Sequence, residues 1–200
     1  MRHFAFVLVA LSLASIASSQ QAPPKQNAAE GGGAAIVYAD GGAFMIGAPK
    51  GWITDHEAGQ RHGVCCFWYP EGSTWNDAET VMYANIATKG PGQKTLNEFM
   101  ESDLADFREH NPELTYEVGE DIPLKNNRIA KLRLFYNVNQ GSSEAVAYID
   151  EEKIIAFVVM SSKTVKGLNE SLPLLRTALQ SYAFMDVQFG KGTKPTKDLH

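Results

Sequence analysis

The apolar positions of this chain follow a period of two over some stretches and a helical period over others, and the changes divide it into elements. Ala35 to Ala39 (AIVYA) and Ala43 to Ile46 are short apolar runs separated by Asp40-Gly41-Gly42. An Asp-Gly between two apolar runs is a hairpin signal. Pro49 ends the second run, because proline has no N–H to give a ladder, and Gly51-Trp52 turns the chain back. The stretch Ala43 to Thr54 (AFMIGAPKGWIT) is therefore the unit over which the later strands and two helices are expected to fold. Asp55 to Gly63 reads as a polar loop. Val64 to Tyr69 (VCCFWY) reads as a strand stopped by Pro70. Glu71 to Ala78 is a turn-rich loop holding one large aromatic, Trp75. Thr80 to Ala87 is the next strand, and Thr88 to Lys94 is a loop built on Gly-Pro-Gly.

Helical spacing begins at Thr95. Thr95 and Glu98 have capping-box spacing, in which each side chain satisfies an orphan backbone N–H of the other. Leu96, Phe99, Met100, Leu104 and Phe107 form one apolar face, and Asn111-Pro112 ends the helix. Glu101, Asp103, Asp106 and Glu109 lie off that face and read as a solvated row. Leu114, Tyr116 and Val118 alternate with polar residues, which predicts a half-buried strand. Lys125 to Asn127 is a turn. Ala130 to Val138 alternates again, and Glu144 to Ile149 and Ile154 to Met160 complete a meander. The last strand is apolar throughout, so a central position covered on both faces is expected. Leu168, Leu172, Leu175, Leu179 and Tyr182 then form the stripe of a second long helix. Pro173 sits off the stripe and should bend that helix or mark its first turn. The order predicts an α+β fold, an antiparallel β-sheet flanked by helices.

The ends add a compartment. Arg2 and His3 precede an apolar run from Phe4 to Leu13, and small residues follow to Ser19, which together read as a signal peptide over residues 1–19. The run is shorter than the ~20 residues of a membrane span. Residues 20–33, with Pro-Pro and a Gly triplet, read as a flexible linker. Residues 34–186 read as a single domain and 187–200 as a disordered tail. The formal charge of −5 gives no basis for nucleic-acid binding, which needs clustered cations. A soluble, exported protein without stable membrane insertion is expected.

Candidate chemistry is sparse. No nucleophile elbow and no phosphate-cradling glycine loop occurs, and no cofactor is expected. His56 and His62 are two residues too far apart for the paired histidines of a zincin helix. Asp55, His56, His62 and Cys65 or Cys66 are metal-ligand types, but solvated loop histidines are the simpler reading, and no metal residue is assigned. In a strand, Cys65 and Cys66 would face opposite sides. Two free thiols, a vicinal disulfide, an intermolecular bridge and a metal remain open for them. Asn169-Glu170-Ser171 matches a glycosylation sequon inside a predicted helix. The expected binding surface is Trp75, Asn76 and Asp77, joined by Trp52 if the two loops share one end of the sheet. A large aromatic on a loop held by a rigid sheet is a favourable anchor.

Pro49, Gly51 and Trp52 after a leading apolar strand, the helix after the early strands, the three-strand meander and a terminal helix ending in Ser181-Tyr182 resemble the PsbP-like superfamily, which includes the Mog-type proteins. The resemblance covers about Ala34 to Met185. It implies an α/β/α sandwich on an antiparallel sheet and a non-enzymatic role, with members that bind a small GTPase, serve as an extrinsic photosystem subunit, or are exported bacterial proteins. No binding residue of those members matches here. The sequence is thus read as an exported binding or assembly-accessory protein with a protein partner. The alternative is a metal-dependent or hydrolytic enzyme using residues 55–62 near Trp75 and Asp77.

Overall fold

A computed structural model describes residues 32–90, 95–139 and 141–186. The expected signal peptide, nearly all of the expected linker and the expected tail lie outside the described residues. The first strands, β1 (Ala34–Ala39) and β2 (Gly42–Gly47), form the predicted hairpin, with Ala39 opposite Gly42 and Asp40-Gly41 at the turn. Gly41 has φ +105°, which a β-carbon would disfavour. The chain does not turn back on β2 at Gly51-Trp52, as the sequence suggested. It crosses into a second sheet, because β3 (Trp52–Asp55) pairs with β4 (Phe67–Pro70).

Between them lies a correction to the expected polar loop: His56–Arg61 is a helix, α1. Asp55 caps it by accepting from the Ala58 N–H at 2.8 Å, which stabilises an N-terminus that six residues could not hold alone. The strand expected from Val64 is shorter, starting at Phe67. Beyond it run β5 (Thr80–Thr88) and α2 (Leu96–His110), with the capping box of Thr95 and Glu98 formed as the spacing predicted. Next come β6 (Thr115–Val118), β7 (Ile122–Pro123) and a single 3-10 turn over Lys125–Asn127. The meander is β8 (Ile129–Tyr136), β9 (Ser143–Asp150) and β10 (Ile154–Ser162). Finally α3 (Val165–Leu179), capped by Thr164, leads to a short strand, β11 (Ala183–Met185), that the sequence did not signal. Pro173 lies within α3, eight residues past its first, so it does not mark the first turn.

All strand pairs are antiparallel. The large sheet has the order β3-β4-β5-β10-β9-β8-β6, with β7 also on β8, and the small one has the order β1-β2-β11. As expected, β10 is central and buried. The period of two sorts each strand's residues between two cores. On β9, Ala145, Ala147 and Ile149 face Leu168, Leu175 and Leu179 of α3 together with Phe44 and Ile46 of the small sheet. Val146 and Tyr148 face Met100 and Leu104 of α2. The molecule is therefore an α+β sandwich of α2, large sheet, and α3 with the small sheet. The Ser-Tyr pair after α3 fastens the layers. Ser181 Oγ accepts from the Gly47 N–H at 2.7 Å, and the Tyr182 hydroxyl reaches the Glu151 carboxylate at 3.0 Å, which Arg128 holds through two nitrogens.

Candidate functional site

Two clusters lie beside α1, one near each end of this short helix. Through Gly59 the helix approaches the segment before β4 closely. Gly59 is buried, and a β-carbon on it would stand 2.3 Å from Cys66 Cα, so only glycine permits this contact. The Val64 and His62 amides both donate to the Gly59 carbonyl at 3.0 Å and wrap the chain around the helix end. Cys65 and Cys66 are consequently not in a strand, and their side chains do not diverge. Both thiols are free, Cys66 is buried and Cys65 is half-buried. The ligand atoms of His56, Cys65 and Cys66 all lie within 4.8 Å of one another. The His56 Nδ1 lies 3.3 Å from the Cys65 carbonyl oxygen. A carbonyl can only accept, so Nδ1 is the donor in this contact. The Cys65 thiol donates to the Ile36 carbonyl in β1 at 3.3 Å. A hydrogen bond between the two thiols, and then the His56 ring, holds Cys65 below the ordinary thiol range. The same thiol contact, with burial, pushes Cys66 up.

His62, at the other end of α1, does not join His56. Its ring packs on Trp75 at 4.2 Å between centroids, and Trp75 stacks on Phe67 at 5.3 Å with the planes 9° apart. Asp55 does not join the thiols as a ligand. Its carboxylate caps α1 and accepts from the Tyr69 hydroxyl at 2.7 Å. The two histidines of the sequence-level metal reading are therefore separated, and both cysteines, of which that reading used one, come together.

Of the expected binding residues, three share a loop and one does not. Trp75 is half-buried, while Asn76 and Asp77 are exposed. The loop is pinned from below: Lys163 Nζ donates to the carbonyls of Asn76 and Asp77, each at 2.9 Å, and the Thr74 hydroxyl donates to Asp77 Oδ2 at 2.8 Å. Trp52 is only 7% exposed and belongs to the core under α3. Trp75 packs on the opposite face of the sheet, with Ala58, Phe67 and Tyr69. The alternation along β3 decides this, since Ile53 and not Trp52 points to the side of Trp75.

A third group lies under α2, where sequence reading expected only a solvated acidic row. Asp103 is half-buried and accepts a hydrogen bond from the Tyr148 hydroxyl. Burial raises its carboxyl above the ordinary range, against the pull of that hydrogen bond. Burial also raises Glu144 to about 7; a hydrogen bond from Ser161 opposes the rise and the charge of Asp103 adds to it. Glu101 reaches Arg133 at 2.7 Å, and Arg133 in turn lies over the Tyr116 ring. Helix periodicity put Asp103 outside the apolar stripe but could not show that a tyrosine from β9 would meet it.

No family model matches the sequence, and no curated protein matches it. Among solved structures, the chain is similar to the solution structure of cyanobacterial PsbP (CyanoP) from Synechocystis sp. PCC 6803. That match has a TM-score of 0.49 and 12% identity, over 82% of this chain and 98% of that one. It is also similar to a mutant of the protein Mog1, with a TM-score of 0.49 and 13% identity, over 78% of this chain and 97% of that one. These two are proteins of the PsbP-like and Mog-type kinds that the sequence itself resembles, and the likeness is one of fold.

Proposed function

We propose that this chain is an exported, non-enzymatic binding or assembly-accessory protein, and that a protein partner meets it along Trp75, Asn76 and Asp77. One observation supports the reading above the others. The loop combines a half-exposed indole, stacked on Phe67 and His62, with a backbone held by Lys163. Such a loop loses little conformational freedom on binding, and a tryptophan already ordered is an efficient anchor. Asn76 and Asp77 supply exposed polar groups at its rim. The signal-like opening supports export. His56 and His62, which the metal reading of residues 55–62 placed on one centre, have different neighbours.

The test places a photo-crosslinking side chain at Asn76 in the exported fraction of the native host. A single adduct of defined mass is expected, absent when the crosslinker sits at Lys166 and lost on Trp75→Ala. The same adduct from Lys166, or none from Asn76, overturns the reading. Intact mass tests export separately: cleavage near Ser19 or Gln20 is expected, and a mature chain that retains Met1 overturns it.

A further inference from the structure

The His56, Cys65 and Cys66 cluster carries a second, independent site. We propose that these three residues bind a thiophilic metal ion, best suited to Cu(I), through two sulfurs and the Nε2 of His56.

The donor set is the first reason. Thiolate and imidazole ligands select soft and borderline ions over calcium, magnesium or manganese, which take oxygen ligands. The number of donors is the second. Structural zinc takes four protein ligands, whereas this cluster offers three, two of them soft sulfurs of the kind that select Cu(I). Asp55, whose charge acts on Cys66, is already committed to the α1 cap and to Tyr69. The geometry is the third. Three ligands spaced evenly around one ion at about 2.3 Å stand about 4 Å apart. A ring nitrogen of His56 and the two sulfurs lie within 4.8 Å of one another, so small rotations bring the three side chains onto a common ion.

The surroundings are those of a metal ligand sphere. Ligating histidines usually donate their second ring nitrogen to a carbonyl or carboxylate, which orients the ring. His56 does this through Nδ1 to the Cys65 carbonyl, a group supplied by the neighbouring ligand itself. Cys66 is fixed by the contact of its backbone with Gly59. The ion enters from the solvent side, past exposed His56 and half-buried Cys65. The proton that Cys65 now gives to the Ile36 carbonyl is replaced by the metal, and each thiol releases its proton on binding.

The experiment titrates the purified, reduced protein with Cu(I) under nitrogen against a chromophoric Cu(I) chelator, and with Zn(II) in parallel. One Cu(I) per chain is expected, bound more tightly than Zn(II). Cys65→Ser should weaken it by at least ~100-fold and His56→Ala by about 10-fold, while His62→Ala leaves it unchanged. His56 is exposed and Cys65 is half-buried at the edge of the core, and circular dichroism verifies the fold of each variant. Three results overturn the proposal: Cu(I) affinity equal in Cys65→Ser and the parent, tighter uptake of Zn(II) than of Cu(I), or a Cys65–Cys66 disulfide in protein isolated from its own compartment.

Discussion

Gly59 of α1 and Cys66 are in backbone contact: a β-carbon at Gly59 would lie 2.3 Å from Cys66 Cα and 2.6 Å from its nitrogen. Replacing glycine by alanine inside a helix ordinarily stabilises it by about 1 kcal/mol. Here the overlap is with backbone, which cannot rotate away, and overpacking of that kind costs about 3 kcal/mol. Gly59→Ala should therefore lower stability by about 2 kcal/mol in urea melts and move α1 off Cys66. A variant as stable as the parent would show that the contact yields easily.

Lys163 should hold the Trp75 loop more than it holds the fold. Its two hydrogen bonds run to carbonyls at the surface. Lys163→Met is expected to cost about 1 kcal/mol, since each such bond contributes little net stability in water. The amides of residues 76–78 should exchange faster with deuterium while β10 keeps its protection. Unchanged exchange there would show that the Thr74–Asp77 turn suffices alone.

Leu104 and Leu175 are the central residues of the α2 and α3 stripes, 2% and 0% exposed. Each truncation to alanine should cost about 2–5 kcal/mol, the range for buried leucines that leave a cavity. The two cores lie on opposite faces of the sheet, so the costs should add in the double variant. Denaturant melts check both points.

Glu144 should make the fold less stable as pH rises. Its neighbours are Asp103 from α2, Tyr83 from β5, Ser161 from β10, and Tyr148 with Arg133 close by. The folded carboxyl titrates at about 7, above its ordinary 4.5. Between those values the folded state binds more protons than the unfolded state, so this group's contribution falls with rising pH and levels off above 7. Glu144→Gln removes the titration. It should match the parent near pH 4.5 and exceed it by about 3 kcal/mol at pH 8. Parallel stability curves for the two proteins would refute the assignment.

Elements whose partners lie a few residues away could be read from the chain. The capping box of Thr95 and Glu98, the stripes through Leu104 and Leu175, the Asp40-Gly41 turn and the β8–β10 meander are stated by local spacing. Together they determine an α+β sandwich. The tertiary structure decided the rest. His56–Arg61 carries no apolar stripe, and its helix depends on the Asp55 cap and on the passage of Gly59 over Cys66. β11 has three residues and exists because β2 offers it an edge. Trp52 and Trp75 looked alike in sequence, one after a glycine turn and one in a polar loop. The pairing of β3 with β4 sent them to opposite faces of the sheet. His56, Cys65 and Cys66 meet because a six-residue helix lies against an irregular segment, and a spacing of nine and ten residues has no period that says so. Periodicity records which side of an element is buried. It does not record which other element buries it, since that contact free energy belongs to groups far apart in the chain.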